Sequence, residues 1–320
     1  MIRVSVIIVN YNGKGLITDC LKSLERQSFK DFEVIIVDNN SLDGSQYEIQ
    51  RFLKKRSIAP FIKLISLDRN LGFAGGNIEG LKYTGNSEYI ALLNNDTEPD
   101  GRWLEELTKA IENRPLVGIC ASKLIVYGTN LIDSAGDGFS TSLKGFKRGE
   151  GETISSYNKG EYVFGACAAA VLYRRNMIEE IGFLDEDFFL IHEDTDLNLR
   201  AQLYGWKAIF VPTAIVYHKV RSSIGKMSPK AVYYSLRNSE LVRIKNIPLT
   251  LFLRCLPVFL LGMVSEFLYL AIKYKHPVLY FKAKLDAVKM FPIMLKKRKA
   301  NIKAKRATDS DLRDIIALTK

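Results

Sequence analysis

Three short clusters in this 320-residue chain hold side chains that could do polar chemistry together. Asn94-Asn95-Asp96 follows a short apolar run and precedes Thr97-Glu98-Pro99-Asp100. Acidic and amide oxygens at such a bend can hold a hard divalent cation, Mg²⁺ or Mn²⁺, which in turn holds a diphosphate. The tripeptide also reads as an ordinary Asn/Asp turn. Glu193-Asp194 opens a helical pattern. A helix N-terminus favours negative charge, so the Asp194 carboxylate is expected to stay ionised near neutral pH. Facing a cleft, it could take a proton from a hydroxyl; the alternative is a helix cap. His218, one of three histidines, lies just past a strand, where a structural role is the competing reading. The loop after it carries Arg221, Ser222, Ser223 and Lys226, which could close over phosphates, although exposed loops are often basic and polar. Asp196 and Arg200, four apart, are expected to pair on the helix surface with no chemical role.

These clusters need elements to bring them together. Residues 4–9 form a short β-branched run that fits a strand buried on both faces, 32–37 read as a second buried strand, and 62–66 and 89–93 as a third and a fourth strand. Helical patterns separate them: Ile17, Cys20, Leu21 and Leu24, then residues 45–55, then 78–83. Strands alternating with helices predict a parallel sheet with helices on both faces, and ligands then bind beyond the carboxyl ends of the strands. The first, second and fourth of these runs close on Asn or Asp: Asn10, Asp38 and Asn94. Residues 123–159, rich in Gly, Ser and Thr, read as a long surface excursion. Residues 161–172 read as one strand whose small-residue stretch, Gly165 to Ala170, suits close approach of a ligand or tight packing on a helix. A helix to about Tyr204 buries Leu197, Ala201 and Tyr204. Residues 207–211 and 214–217 read as two short strands.

The formal net charge of +11 suits a phosphate-bearing partner: a nucleotide, a nucleic acid or an anionic membrane. Much of the positive charge sits near the end, at Lys296, Lys297, Arg298, Lys299, Lys303, Lys305 and Arg306. No nucleic-acid module is recognisable. The four cysteines form no CxxC pair and read as reduced thiols. The N-terminal apolar run is too short for a signal peptide, which places the expected site on the cytoplasmic side. Residues 249–272 are nearly all apolar but carry Arg254, Pro257 and Glu266. Residues 277–295 form a basic amphipathic pattern. An interfacial or re-entrant helix on an anionic membrane suits both better than a simple span; packing on the catalytic part or in a homodimer is the other reading.

In order, Val6-Ile7-Ile8-Val9-Asn10-Tyr11-Asn12, Val37-Asp38-Asn39-Asn40-Ser41-Leu42-Asp43-Gly44, Asn70-Leu71-Gly72-Phe73-Ala74, Asn94-Asn95-Asp96, His192-Glu193-Asp194 and Tyr217-His218 resemble the family 2 glycosyltransferases of the GT-A fold. The resemblance spans roughly residues 3–225. It implies an α/β fold with a mostly parallel central sheet. Residues 1–245 would form the catalytic domain, with about 1–100 binding a nucleotide-sugar and about 101–245 the acceptor. Residues 246–320 would form a helical, basic extension. By the resemblance, Asn10, Tyr11 and Asp38 hold the nucleotide base, Asn70 belongs to the donor loop, and Asn95 lies near the ribose. Asp96 is the metal-binding aspartate, Asp194 the catalytic base and His218 a metal ligand. Asn94 departs from the family's first aspartate; its amide is a poorer ligand or only orders the turn. The implied reaction is a single, inverting displacement onto a glycan or lipid-linked acceptor. The runs at 70–77 and around 94–96 point to L-rhamnose from dTDP-rhamnose, with UDP-linked hexoses as competitors. A sugar nucleotidyltransferase, or a non-catalytic basic membrane-surface protein, are the alternative functions.

Overall fold

The computed structural model describes residues 2–55, 62–220 and 228–317. Its centre is a sheet built from β1 (Val4–Asn10), β2 (Phe32–Asp38), β3 (Ile62–Ser66), β4 (Tyr89–Leu93), β5 (Thr97–Pro99), β6 (Val117–Val126), β7 (Ile132–Ala135), β10 (Glu161–Val163), β11 (Ala170–Arg174) and β12 (Lys207–His218). The main order is β10-β12-β6-β11-β4-β1-β2-β3, with β5 on β12 and β7 on β6. β4, β1, β2 and β3 are parallel, as the alternation of apolar runs and helices predicts. β11 is antiparallel to both β4 and β6, and so joins that block to the parallel pair β6–β12. The β-branched residues of β1 serve both faces: Val4, Val6 and Ile8 enter one core cluster and Ile7 the other. Burial on both faces is why β1, β2 and β4 show no polar alternation, whereas β3, at the sheet edge, exposes Lys63 and Ser66.

Helices α1 (Leu16–Glu25), α2 (Ser45–Lys55), α3 (Gly72–Leu81) and α4 (Trp103–Glu112) follow β1, β2, β3 and β5. The stretch 123–159 is not a surface excursion. β6 runs through it to Val126, and β7 with the hairpin β8 (Asp137–Phe139) and β9 (Gly145–Lys147) buries Asp133, Ala135, Asp137 and Phe139. Residues 161–172 are not one strand either. The chain leaves the sheet between β10 and β11 because helix α6 (Glu193–Leu203) packs against it. A Cβ on Gly165 would lie 2.1 Å from Asn198 Cγ, so the small residues admit that helix. The two strands expected over 207–217 are one, β12, with an irregularity between Val211 and Ile215.

After α5 (Arg175–Ile181) and α6, five helices complete the described chain: α7 (Pro229–Asn246), α8 (Leu249–Leu268), α9 (Pro277–Lys289), α10 (Phe291–Lys303) and α11 (Asp309–Ala317). They share a core with α6, where Leu199 and Leu203 pack with Leu241, Val242, Leu251, Met294 and Leu312. Asp196 and Arg200 do pair, at 2.9 Å, but in the interior, with Asp196 fully buried. Lys245 Nζ donates to Asp196 at 2.9 Å and to Asp185 at 2.7 Å, and Asn246 Nδ2 donates to Asp196 at 2.7 Å. Lys297 on α10 reaches Asp185 and Asp187 at 2.6 and 2.7 Å. The surface expectation fails because the C-terminal helices cover this face of α6.

Removing one member of a buried ion cluster strands its partners, at a cost of about 3–5 kcal/mol. Asp196→Ala is expected to lower unfolding free energy by that order in chemical denaturation. A loss below about 1 kcal/mol would show that the cluster adds little. The Asp185 carboxyl sits at about 2, because Lys245 and Lys297 outweigh the upward effect of burial. That is below its unfolded value of about 3.9, so its contribution is present above that value and is lost as pH falls toward 2.

Candidate active site

The carboxyl ends of β1, β2 and β4 meet at Asn10. Its side chain is fully buried. Nδ2 donates to Asp38 Oδ1 at 2.9 Å, Ser45 Oγ at 2.9 Å and Ser41 Oγ at 3.1 Å. Oδ1 accepts from Asn95 Nδ2 at 2.9 Å. One amide thus ties three strand ends into a floor. Tyr11, exposed, stands at its rim. Asn39 Nδ2 donates to Asn70 Oδ1 at 3.0 Å, and Asn70 Oδ1 accepts the Gly72 N–H at 2.7 Å, which shapes the loop into α3. Gly72 adopts φ 74°, and a Cβ there would meet the Phe189 carbonyl at 2.3 Å, so only glycine fits this crossing.

Sheet register brings the metal-type residues together. β5 pairs with β12 so that Thr97 faces His218, which sets Asp96 beside the imidazole. His218 Nε2 is 3.3 Å from Asp96 Oδ1. On the other side, His218 Nδ1 is 2.8 Å from Asp133 Oδ2, and Lys147 Nζ donates to both Asp133 oxygens at 2.7 and 2.9 Å. Burial raises the Asp133 carboxyl, but His218 and Lys147 outweigh it and pull it down to about 2. Burial lowers His218, yet Asp133 and Asp96 hold it up to about 9. Among the described residues Asn94 Oδ1 is buried without a hydrogen-bond partner, and Asp96 Oδ1 has only the imidazole, at 3.3 Å. Orphaned buried oxygens call for an explanation, and an unplaced cation is one. A divalent cation fits here by displacing the imidazole's proton: Asp96 and neutral His218 can hold it, and substrate phosphates and water can complete its shell. Among the described residues no group of three His, Cys, Asp or Glu side chains forms a metal cage.

Asp194 lies at the start of α6. Oδ2 accepts from Ala168 N at 3.2 Å and Oδ1 from Thr195 N at 2.7 Å. Its pKa is raised, chiefly by burial, against the opposing backbone hydrogen bonds. Burial thus opposes the helix N-terminus, which favours the ionised form. Asp137 is pushed up further, by burial and then by the Asp194 charge. The turn into α6 is strained, with Phe189, Ile191 and His192 at φ 63°, 67° and 70°. Asn238 Nδ2 on α7 holds it, donating to the carbonyls of Phe188, Leu190 and Ile191 at 2.8, 2.8 and 2.7 Å. A cavity of about 370 Å³ is lined by Asn94, Asp137, Lys147, Asp194 and His218, among others. Arg221, Ser222 and Ser223 lie outside the described residues.

The sequence profile of "Glycosyl transferase family 2" matches residues 5–182, more than half of the 320 residues. The chain belongs to glycosyl transferase family 2. It is 31% identical, over 73% of its length and 76% of the relative's, to the amylovoran biosynthesis glycosyltransferase AmsB of Erwinia amylovora. It is 24% identical to the N-acetylglucosaminyl-diphospho-decaprenol L-rhamnosyltransferase of Mycobacterium tuberculosis, over 69% of this chain and 77% of that one. Among solved structures it resembles the mannosyltransferase PcManGT from Pyrobaculum calidifontis in complex with GDP-Man and Mn²⁺. The TM-score is 0.57 at 17% identity, covering 94% of this chain and 85% of that one. That likeness is one of fold, and the fold is GT-A.

Within this glycosyltransferase, Asp133, Asp137, Lys147 and Asn238 were not legible as site residues. They sit in a stretch that reads as loop, or in a helix remote in sequence. Asp133 meets His218 across 85 positions, and no local spacing announces that contact. Partners that orient a metal-ligating histidine typically account for 10–100-fold in metal affinity. Asp133→Asn is expected to weaken Mn²⁺ binding by about that factor, read by electron paramagnetic resonance titration of free Mn²⁺. Unchanged affinity in a folded variant would reduce the Asp133–His218 contact to packing.

Proposed function

We propose that this glycosyltransferase performs an inverting, metal-dependent transfer of one sugar from a nucleotide-sugar to an acceptor hydroxyl. The observation that carries the reading is a single cavity lined by both Asp194 and His218, with Asp96 against the histidine. Asn10, Asp38, Asn70 and Asn95 set the floor of the nucleotide subsite, and Tyr11 stands at its mouth. Asp96 and His218 would hold the cation, with Asp133 and Lys147 fixing the imidazole. When bound, the cation supplies positive charge for the diphosphate leaving group. Asp194 accepts the proton of the acceptor hydroxyl as its oxygen attacks the anomeric carbon from the side opposite the leaving diphosphate. The raised pKa of Asp194 makes it a stronger base than an exposed aspartate, which favours proton transfer near neutral pH. Asn238 keeps the turn that aims it.

The donor we propose is dTDP-rhamnose; the named rhamnosyltransferase relative supports it. The acceptor class is a lipid-linked or cell-envelope glycan, in keeping with that relative and with the amylovoran enzyme. The place of work is the cytoplasmic face of a membrane. The helical run Leu249–Lys273 is 25 residues long and apolar enough to cross a bilayer by length and composition. Glu266 within it pairs with Lys144 at 2.8 Å and Lys284 at 3.2 Å, which ties the helix to the catalytic half and supports a helix lying on the membrane. Leu261, Ile272 and Val278 are 72%, 71% and 79% exposed, and exposed lysines such as Lys273, Lys282 and Lys289 are interleaved with such residues along the sequence. Such a pattern favours an anionic lipid surface.

Asp194→Asn is expected to bind donor nearly as the parent does and to lose about 10²–10⁴-fold in turnover, the scale of general-base catalysis. The acid limb of the parent's rate profile should lie above the ordinary aspartate value of about 3.9, since activity falls as Asp194 takes up its proton. Near-normal transfer by the folded variant in a nucleoside diphosphate release assay would remove Asp194 from the mechanism.

A further inference from the structure

A second cavity, of about 640 Å³, adjoins Asp96 and His218, and its two ends differ in chemistry. Its volume lies within the range of small-molecule sites. The polar end is Asp96, Asp133, Lys144, Lys147 and His218. The other end is apolar and comes from the C-terminal helices: Val232 and Leu236 of α7, and Tyr269 and Leu270 of the π-helical turn Tyr269–Lys273 that extends α8. Leu236 and Leu270 belong to one small core cluster with Tyr280 and Ala283, so this wall is preformed. Tyr269 lines the cavity and is also 47% exposed, next to exposed Leu268 and near Ile272. The apolar wall therefore continues onto the outward apolar face of the C-terminal helices. Glu266, which also lines the cavity, bonds Lys144 and fixes α8 against the loop before β9.

A water-soluble glycan needs no such wall, whereas a long apolar chain with a polar head matches both ends. We propose that this cavity holds the lipid anchor of the acceptor. The chain lies over Val232, Leu236, Tyr269 and Leu270, and the polar head lies toward Lys144 and Lys147, beside the residues that would hold the donor's cation. The inference rests on the transferase reading above and assigns its acceptor class to particular residues. It also gives the membrane face a purpose: the anchor passes from the bilayer to the site along Tyr269 without crossing water.

The test is photolabelling of the full-length protein with a diazirine-bearing C15 isoprenoid phosphate, with labelled residues mapped by mass spectrometry. Labels are expected within residues 231–236 and 269–270. Dodecyl phosphate should compete and inorganic phosphate should not. Val232→Asp and Tyr269→Asp should each weaken labelling about tenfold, the loss of roughly two buried methylenes, while Tyr269→Phe retains it. Labels confined to outward residues such as Leu261 and Val278 would overturn the proposal and leave only adsorption to the surface. Equal competition by inorganic phosphate would overturn it as well, by showing that the head alone is recognised. The wild-type map decides the matter even where a variant fails to fold. Nucleoside diphosphate release by the wild type reports on the transferase reading separately, so failure of one is distinguishable from failure of the other.

Discussion

Five carboxylates, Asp96, Asp133, Asp137, Glu193 and Asp194, are drawn into one end of the sheet and largely withdrawn from water. In a low-dielectric setting such charges cannot all persist unless each finds a positive partner or takes up a proton. The structure resolves the conflict unevenly. Asp133 gains Lys147 and His218 and is held at about 2. Among the described residues, Asp137, Glu193 and Asp194 have no such cation in direct contact, and burial pushes all three upward. Environments that drive neighbouring acids in opposite directions divide labour between them. One group becomes a fixed charge that orients an imidazole, while the others hold a proton more tightly than an exposed acid does. Asp96 faces only the imidazole, at 3.3 Å, and a divalent cation would complete the balance.

The rest of the molecule maintains that crowding. β12 is the organising strand, because its pairing with β6 and β5 places His218 between Asp133 on β7 and Asp96 before β5. α7 holds the strained entry to α6 through Asn238, and Lys245 and Asn246 at its far end reach Asp196 inside α6. The helix that carries Asp194 is therefore gripped just before its start and again in its first turn. The C-terminal helices do more than append an apolar surface: they share the core of the catalytic helix and wall the cavity beside the metal-type residues.

Much of this was legible in the sequence, and for a physical reason. A parallel strand buried on both faces is a short β-branched run, and its end is where polar residues gather. Asn10, Asp38 and Asn95 could therefore be placed at one edge without any pairing information. His218 could be placed at a strand end, but not against Asp133, because that contact depends on the order β7-β6-β12. The pairing of Asp196 with Arg200 was legible from its spacing of four. Its burial was not, since Lys245 and Asn246 are supplied by α7. The break between β10 and β11 was hidden for a similar reason. Gly165 to Ala170 would sit well in a strand, and only the close approach of Asn198 draws them out of the sheet.

The central claim is that the carboxylate cluster works through a cation held by Asp96 and His218. The most direct measurement is nucleoside diphosphate release from a panel of nucleotide-sugars, made on metal-stripped protein in chelator and again after addition of Mn²⁺ or Mg²⁺. The account predicts no release in chelator, recovery with either ion, and no recovery when Asp96 is replaced by alanine. Undiminished transfer in chelator would contradict it.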